Sequence, residues 1–419
     1  MFDVAIIGAG PAGATLARLL SPHLRVLLAD RRELDRPIAP GSPGKPCGGL
    51  LAPAAQRELA RQGLGIPADV MSGPQLFAVR TLDLAAGLER LYQQQYLNVD
   101  REAFDRWLVD LACEDGRVET RWGVSLIGLK REPGSTVLEF RNPLGIPVKA
   151  RARLVVGADG ASSLVRRLAF PNRAAPDRYV AVQAAFDTVG AQPHYGSVFD
   201  RRLTDFYGWT IPKGDALHEG AAFPAGRGGA DGRGGTGGRG GPAGRGEAGG
   251  RTASATDRFD TLVDRVREAG FLLGTERSRT SAAVLRPTSP TQLLAGDDAI
   301  LLAGEAAGFI SPSSAEGISY ALRSAAALAE AIEGAAAAAI APRITPVADG
   351  HLTGVAHRYR AAVAPVALSG SLRIGKAGVI YTPAVRHALM RSGWRSLGGM
   401  RGLGSKARGA LNAPASATD

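Results

Sequence analysis

Residues Phe2–Leu20 have the sequence FDVAIIGAGPAGATLARLL, and this stretch decides the fold. An apolar run predicts a buried strand, a glycine-rich segment predicts a tight turn, and the residues after it predict a helix. Gly8 permits the turn, Gly10 lets the backbone approach a pyrophosphate, and Gly13 lets the helix pack on the strand. The N-terminus of such a helix offers unpaired N–H groups to phosphates. The stretch therefore predicts the dinucleotide-binding edge of a parallel sheet.

An acidic residue follows at the distance that this motif requires. A second predicted strand, Val26–Ala29, ends at Asp30, whose carboxylate is expected to bind ribose hydroxyls. Arg31 and Arg32 come next and would also suit the 2′-phosphate of NADP. A glycine turn that binds nothing is the remaining alternative, and the agreement of strand, helix and acid weighs against it.

Two later segments indicate FAD rather than NADP. Leu154–Gly160 (LVVGADG) predicts a buried strand followed by a turn at Asp159, and Ala299–Glu305 (AILLAGE) predicts another strand with an acid at its end. Ligands of doubly wound sheets bind at the carboxyl ends of the strands. We therefore expect Glu305 near the ribityl and phosphate groups of FAD.

A helix is predicted from Ser319 to Ala329, after the turn Ile310–Ile318. Its N-terminal dipole is expected to face the pyrimidine end of the flavin and to stabilise negative charge on the reduced ring.

Three further motifs point to one family. They are the loop Lys45–Gly49 (KPCGG), the helix Val99–Leu108 (VDREAFDRWL) and the strand Tyr207–Gly214 (YGWTIPKG). With the glycine turn, they resemble the geranylgeranyl reductase family, including its CbrA-like members, within the flavoproteins of para-hydroxybenzoate-hydroxylase-like fold. The resemblance covers roughly residues 1 to 335 apart from one insertion. It implies an FAD-dependent reductase of isoprenoid double bonds.

The resemblance also assigns residues. It places the cysteine loop beside the flavin, lets Arg101 reach the cofactor, and adds backbone contacts from Ala12 and Val124 on the adenine side and from Gly317 and Ile318 on the flavin side. The predicted FAD site is Gly8, Gly10, Ala12, Gly13, Asp30, Cys47, Gly48, Arg101, Val124, Asp159, Glu305, Gly317 and Ile318. The predicted substrate pocket is Tyr207, Trp209 and Phe223, with ordinary core packing as the alternative for each.

Cys47 is the predicted catalytic residue. A thiol at the flavin edge would donate a proton to a double bond while hydride arrives from flavin N5. The alternative is a structural cysteine that packs against the ring. Cys113 lies on an apolar helical stripe with Phe104 and Leu108 and is expected to be a small core residue.

Two departures from the family keep other chemistries open. The chain has Gly304-Glu305 where the family more often has Gly-Asp, and Ile211 where many reductases have phenylalanine. A Trp-x-Ile-Pro strand also resembles flavin-dependent halogenases, which need an early lysine; Lys45, inside the cysteine loop, is the only lysine before Lys130. The main rival is an aromatic or polyketide monooxygenase of the same fold. A flavin-containing binding or sensor protein is the non-enzymatic alternative.

The 419 residues suit an α/β protein in which a substrate layer is inserted into a doubly wound domain. We expect a discontinuous FAD-binding domain at residues 1–75, 97–165 and 285–340. A mainly antiparallel substrate domain is expected at 76–96 and 166–284, and a basic helical C-terminal region at 341–419. The glycine- and arginine-rich tract 225–251 is predicted to be a disordered loop.

Composition limits the partners and the compartment. The two cysteines are far apart, which fits a reducing cytoplasm, and neither a signal peptide, a membrane span nor a metal site is predicted. No second nucleotide motif occurs, so the electron donor is left open between an NAD(P)H that binds transiently and a ferredoxin. The arginine–glycine tract lacks the interleaved aromatic residues that stack on bases, so nucleic acid is not an expected partner.

The formal net charge is +11, and no acidic residue occurs between Asp349 and Asp419. The basic residues of this stretch, interrupted by apolar ones, would suit the anionic headgroups of a membrane that carries a prenyl-lipid substrate. A basic flexible or helical cover over the substrate cleft is the alternative.

Overall fold

The computed structural model describes residues 1–20, 22–36, 47–225, 254–340 and 354–394, and its strands form two large sheets. The strands are β1 Phe2–Ile7, β2 Val26–Ala29, β3 Leu50–Leu51, β4 Leu76–Asp83, β5 Leu88–Asn98, β6 Val118–Arg121, β7 Ser125–Glu132, β8 Ser135–Arg141, β9 Pro147–Gly157, β10 Asp177–Thr188, β11 Tyr195–Phe199, β12 Gly208–Lys213, β13 Ala216–Pro224, β14 Leu273–Arg286 and β15 Ile300–Leu302. The α-helices are α1 Pro11–Leu19, α2 Pro53–Arg61, α3 Arg101–Cys113, α4 Leu164–Ala169, α5 Ala255–Glu268, α6 Ile318–Ile340, α7 Val355–Tyr381 and α8 Pro383–Ser392. Single 3₁₀ turns lie at Ala68–Val70, Gly160–Ser162, Pro290–Gln292 and Gly304–Ala307.

The first sheet contains the predicted dinucleotide turn. Its strand order is β6-β2-β1-β9-β8-β7, and β15 pairs with β9. Strands β6, β2, β1, β9 and β15 run parallel, while β8 pairs antiparallel with β9 and β7 pairs antiparallel with β8. All of β2 and β15 are buried, as expected of parallel strands covered on both faces by helices. The predicted α/β class is confirmed.

The second sheet has eight strands in the order β14-β10-β13-β12-β11-β4-β5-β3. Neighbouring strands are antiparallel except for the parallel pair β11 and β4. Helix α5 covers one face, where Phe259, Leu262 and Val266 join the core. The opposite face carries an aromatic cluster that includes Tyr207 and Trp209.

Three strands of the second sheet extend beyond the expected limits of the substrate domain. β5 runs to Asn98 and β14 runs to Arg286, slightly past the predicted limits of the substrate segments. β3, which precedes residue 76, pairs with β5 and so belongs to the substrate sheet. The short strand was not predicted, because only its distant pairing partner stabilises it.

The described part of the C-terminal region joins both sheets. The first half of α7 is buried in the core of the FAD-binding domain, where the Tyr359 hydroxyl donates to the Leu302 carbonyl at 2.9 Å. Arg386 and His387 of α8 bind the buried Asp83 of β4 at 2.7 and 2.9 Å. Helices α7 and α8 of this region therefore pack against the two sheets. The predicted loop 225–251 lies outside the described residues apart from Ala225.

Candidate functional site

The three cofactor segments meet at one edge of the first sheet. The Ala158 amide donates to the Ile7 carbonyl at 2.8 Å, and the Ala303 amide donates to the Gly157 carbonyl at 3.0 Å. Gly8 has a φ of +102°, and a Cβ there would lie 2.5 Å from the Ala158 oxygen. A Cβ on Gly13 would lie 1.8 Å from the Gly8 oxygen. Backbone contact therefore excludes side chains at both glycines.

Gly10 is different, because a Cβ built there would meet no atom within 4 Å. It is the N-cap of α1, and no side chain caps this helix. The space in front of Gly10 is thus an open cradle at a helix N-terminus, which fits a pyrophosphate. Ala12 lies nearby, 3.0 Å from where a Cβ on Gly304 would be, so the third segment adjoins the same helix.

Asp30 holds the turn together from the end of β2. Its Oδ2 accepts the Ala9 amide at 2.7 Å, and Arg32 binds the same carboxylate through its backbone and guanidinium. Burial alone would raise the pKa of Asp30, but Arg32 and the Ala9 amide hold it below its usual value. Arg32 is thus neutralised by Asp30, while the Val124 amide donates to the Asp30 carbonyl. The ribose contact of Asp30 and the adenine contact of Val124 stay predictions.

The other two predicted acids both bind the chain. Asp159 caps α4: it accepts the Ser163 hydroxyl at 2.6 Å and the Leu164 amide at 2.7 Å. Burial raises the pKa of Asp159 despite these donors. Glu305 accepts the Leu285 amide of β14 at 2.9 Å and so ties the cofactor edge to the second sheet. Cofactor contacts of both carboxylates stay predictions.

Cys47 lies against a buried guanidinium. Nη1 of Arg101 is 3.1 Å from the Cys47 Sγ, and Nε of Arg101 donates to Asp105 at 2.7 Å. Burial opposes the charge on Arg101, but Asp105 and Cys47 raise its pKa above the usual value. Asp105 also pairs with Arg32 at 3.5 Å. A row of charges therefore links the Asp30 end of the site to Cys47.

Lys213 fixes the glycine loop that follows Cys47. Its Nζ donates to the carbonyls of Gly49 at 3.2 Å and Val99 at 2.6 Å, and to the Asn98 side chain. Burial lowers the pKa of Lys213 to about 8. A Cβ on Gly48 would lie 2.5 Å from Ile211 Cδ1, so the loop packs on the substrate sheet. The predicted site omitted Lys213, although its place beside Pro212 on an apolar strand was a usable signal.

An aromatic wall, defined as Tyr179, Phe199, Phe206, Tyr207, Trp209 and Ile211, covers the face of the second sheet opposite α5. Tyr96, Tyr195 and Tyr381 pack against it. The Tyr207 hydroxyl donates to the Ser314 carbonyl at 2.7 Å, and the Tyr381 hydroxyl donates to the Ser313 carbonyl at 3.1 Å. Burial raises the pKa of Tyr195 and of Tyr207 above the usual value, so both are neutral phenols.

A chain of hydrogen bonds orients Trp209. Its indole N–H donates to Gln183 Oε1 at 3.0 Å, and the amide nitrogen of Gln183 lies 3.3 Å from His218 Nδ1. Because Gln183 donates, His218 accepts as a neutral ring. Burial, together with Lys213, lowers the pKa of His218 to about 4, which maintains that state.

The structure corrects the prediction for Phe223. This side chain is fully buried on the α5 face, with Leu262 and Phe271, and not on the aromatic wall. Successive residues of a strand point to opposite faces, so Ala222 meets the wall and Phe223 faces away. Its aromatic character gave no information about the face.

The segment before α6 has strained backbone. Ala315 has a φ of +47°, in the left-handed region that a residue with a Cβ rarely adopts. Glu316 accepts the Ser319 amide at 2.7 Å and the Ser319 hydroxyl at 2.6 Å. Helix α6 begins at Ile318, which puts Gly317 and Ile318 at its N-terminus. Strain of this kind concentrates at functional sites.

A glycine turn, an open phosphate cradle and a cysteine loop beside an aromatic wall define a class, the FAD-dependent oxidoreductases. The FAD binding domain model FAD_binding_3 matches residues 1–194. FAD is the cofactor, and the cradle at Gly10 fits its pyrophosphate.

The chain belongs to the family of the CbrA proteins. It is 36% identical over 394 residues to Protein CbrA of Escherichia coli O6:H1, covering 94% of this chain and 93% of that protein. A geranylgeranyl bacteriochlorophyll reductase-like protein of Thermoplasma acidophilum has the same fold, with a TM-score of 0.69, 18% identity and coverage of 90% and 87%. PqsL of Pseudomonas aeruginosa, a probable FAD-dependent monooxygenase, superposes with a TM-score of 0.61 at 18% identity, covering 93% of this chain and 98% of that one.

Proposed function

We propose that this protein reduces carbon–carbon double bonds of an isoprenoid chain carried on a lipid or quinone, in the cytoplasm. The observation that carries the proposal is the Cys47 thiol, held against the buried Arg101 beside an aromatic wall. FAD, when bound and reduced by the electron donor, would supply hydride to the double bond. The side chains of the protein must then supply the proton.

Cys47 is suited to donate that proton. Donation leaves a thiolate, and a guanidinium at 3.1 Å stabilises the negative charge on sulfur. Asp105 orients Arg101 through two contacts, at 2.7 and 3.3 Å.

The wall suits a hydrocarbon. The Tyr207 and Tyr381 hydroxyls are used by backbone carbonyls, and the Trp209 N–H is used by Gln183. With these polar atoms satisfied inside the protein, the three side chains offer apolar contact rather than hydrogen bonds. Arg286 lies over the rings of Tyr179, Phe206 and Tyr381 at one side of the wall. An isoprenoid chain has no polar group to pair, and apolar contact is what such a surface provides.

The fold of the Thermoplasma reductase-like protein supports this choice, and the fold of PqsL keeps an aromatic monooxygenase as the second candidate. A monooxygenase would consume oxygen and hydroxylate its substrate, and it has no need of a proton-donating thiol. The proposed electron donor is NAD(P)H or a ferredoxin, and assays supplied with each in turn would distinguish them.

Substitution of Cys47 tests whether its thiol donates the proton. We expect Cys47→Ala to retain FAD and to lower the rate of lipid reduction on the order of 100-fold, with Cys47→Ser in between. Cys113→Ala, at the far end of α3, is the matched control and should keep wild-type turnover. Turnover is followed by mass spectrometry of saturated product, and FAD content by absorbance. Full turnover by Cys47→Ala would remove the proton-donor role, and oxygen-dependent hydroxylation would favour the monooxygenase.

A further inference from the structure

The second half of α7 carries an apolar stripe, defined as Leu368, Leu372 and Val379. The exposed fractions of these three residues are 61%, 69% and 48%, respectively. At 3.6 residues per turn, the three side chains fall within about 40° of one another around the helix axis. Single exposed apolar residues are ordinary, but a continuous stripe marks an interaction surface.

Basic residues flank this stripe. Lys376 lies beside the stripe on one side, and Arg358 and Arg360 precede the stripe on the first half of α7. All three cations are exposed, and Arg360 also donates to the Gly296 carbonyl at 2.9 Å. No acidic residue occurs between Asp349 and Asp419 to offset them. An apolar centre with cationic edges matches the surface of an anionic bilayer, where acyl chains lie beneath phosphate groups.

Helix α7 has the length and composition of a membrane span, with a mean hydropathy of 1.2 over its most apolar window. Its contacts indicate a different arrangement. The first half packs in the core of the FAD-binding domain, and Pro365 lies inside the continuous helix before the stripe. Since one side of the helix is held by protein, the exposed side is positioned to lie along a membrane surface.

The end of α7 adjoins the substrate face. A cavity of about 450 Å³ lies there, with Phe199, Phe206 and Tyr381 in its lining together with the charged residues Asp200, Arg201, Asp205, Arg286 and Arg386. Tyr381 contacts both Phe199 and Phe206 of the aromatic wall. A lipid surface along α7 would therefore lie beside this partly charged cavity at the edge of the wall.

From this geometry we infer that the Leu368–Leu372–Val379 stripe docks the protein on an anionic phospholipid bilayer. Apolar side chains enter the headgroup boundary, while the flanking cations contact lipid phosphates. The inference concerns binding and does not depend on which reaction the flavin performs, so it can fail while the proposed function stands.

Vesicle flotation of the full-length protein with bound FAD tests this inference. Vesicles of phosphatidylcholine with about one third phosphatidylglycerol should bind the protein on the order of tenfold more tightly than phosphatidylcholine alone, and salt should weaken the binding. The double variant Leu368→Asp/Leu372→Asp should lose about tenfold or more of this binding. Leu144→Asp is the matched control, because Leu144 is 82% exposed in the loop between β8 and β9.

Three outcomes would overturn the inference. Wild-type protein that stays off both kinds of vesicle would exclude the bilayer. Unchanged binding by the double variant would assign the membrane contact to another part of the chain. A wild-type dimer that the double variant dissociates, without vesicle binding by either, would make the stripe an interface between two copies; light scattering reports this. Flavin absorbance and thermal unfolding confirm that each variant is folded.

Discussion

The two sheets prepare their parts of the site by opposite means. At the cofactor edge of the first sheet, the shape comes from missing side chains: Gly8 and Gly13 let backbone approach backbone, and Gly10 leaves room for a ligand. On the second sheet, the shape comes from large side chains fixed by their polar ends, such as Trp209 on Gln183. Substitutions at an edge shaped by backbone contact disturb the fold. Substitutions in a wall of side chains can change which substrate binds while the fold is kept.

Substitution of Gly13 should have the largest effect. In Gly13→Ala the new methyl group would overlap the Gly8 oxygen, since a Cβ would lie only 1.8 Å from it. We expect the free energy of unfolding to fall by about 3 kcal/mol or more, with loss of FAD. Gly375→Ala is the helical control, because a Cβ there meets no atom within 4 Å. Urea denaturation compares the two variants. Equal stabilities would show that backbone contact at Gly13 does not shape the cofactor edge.

Acid should weaken the second sheet through His218. Its pKa is lowered from 6.5 to about 4, so between these values the unfolded chain binds a proton that the folded protein does not. The free energy of unfolding therefore falls as the pH falls through this window, by roughly 2 kcal/mol between pH 7 and pH 5. His218→Gln should remove the His218 contribution and leave the similar contribution of His194, as measured by urea denaturation at both pH values. His194 has a similarly lowered pKa, so His194→Gln provides an independent comparison.

Gly10→Ala separates the cofactor from the fold. A Cβ at Gly10 enters open space, and its φ of −76° suits alanine. We expect the apoprotein to keep its stability within about 0.5 kcal/mol. FAD should bind on the order of tenfold more weakly, because the methyl group occupies the pyrophosphate cradle. Flavin fluorescence titration measures the affinity, and wild-type affinity would place the pyrophosphate elsewhere.

Trp209→Phe should have the smallest effect on ligand binding. It removes the N–H that Gln183 accepts and costs about 1 kcal/mol of unfolding free energy. FAD binding should be unchanged, while KM for a prenyl-lipid substrate rises several-fold because the wall loses ring area. Steady-state kinetics at matched FAD content tests this, and a loss of FAD instead would show that the wall also holds the cofactor.

These contrasts explain what could be predicted from the sequence. The strand Val26–Ala29 has the predicted bounds and the glycine turn meets the segments at Asp159 and Glu305, because glycine spacing and apolar runs are local signals. The prediction that Phe223 lines the substrate pocket was wrong, because the face on which a side chain lies depends on the alternation of residues along a strand within the sheet.

Long-range partners were out of reach for the same reason. The Asp83–Arg386 ion pair joins residues 303 positions apart, and the fixing of the cysteine loop by Lys213 crosses 164 positions. Asp105, by contrast, lies four positions after Arg101 on one helix, and that spacing could have identified it.

The most direct test of the central claim is anaerobic. The FAD-loaded protein is reduced chemically, mixed with a geranylgeranyl lipid, and followed by flavin absorbance while mass spectrometry records the lipid. We expect the flavin to reoxidise without oxygen and the lipid to gain pairs of hydrogen atoms. A flavin that stays reduced until air enters, with the lipid unchanged, would contradict the proposed reduction of isoprenoid double bonds.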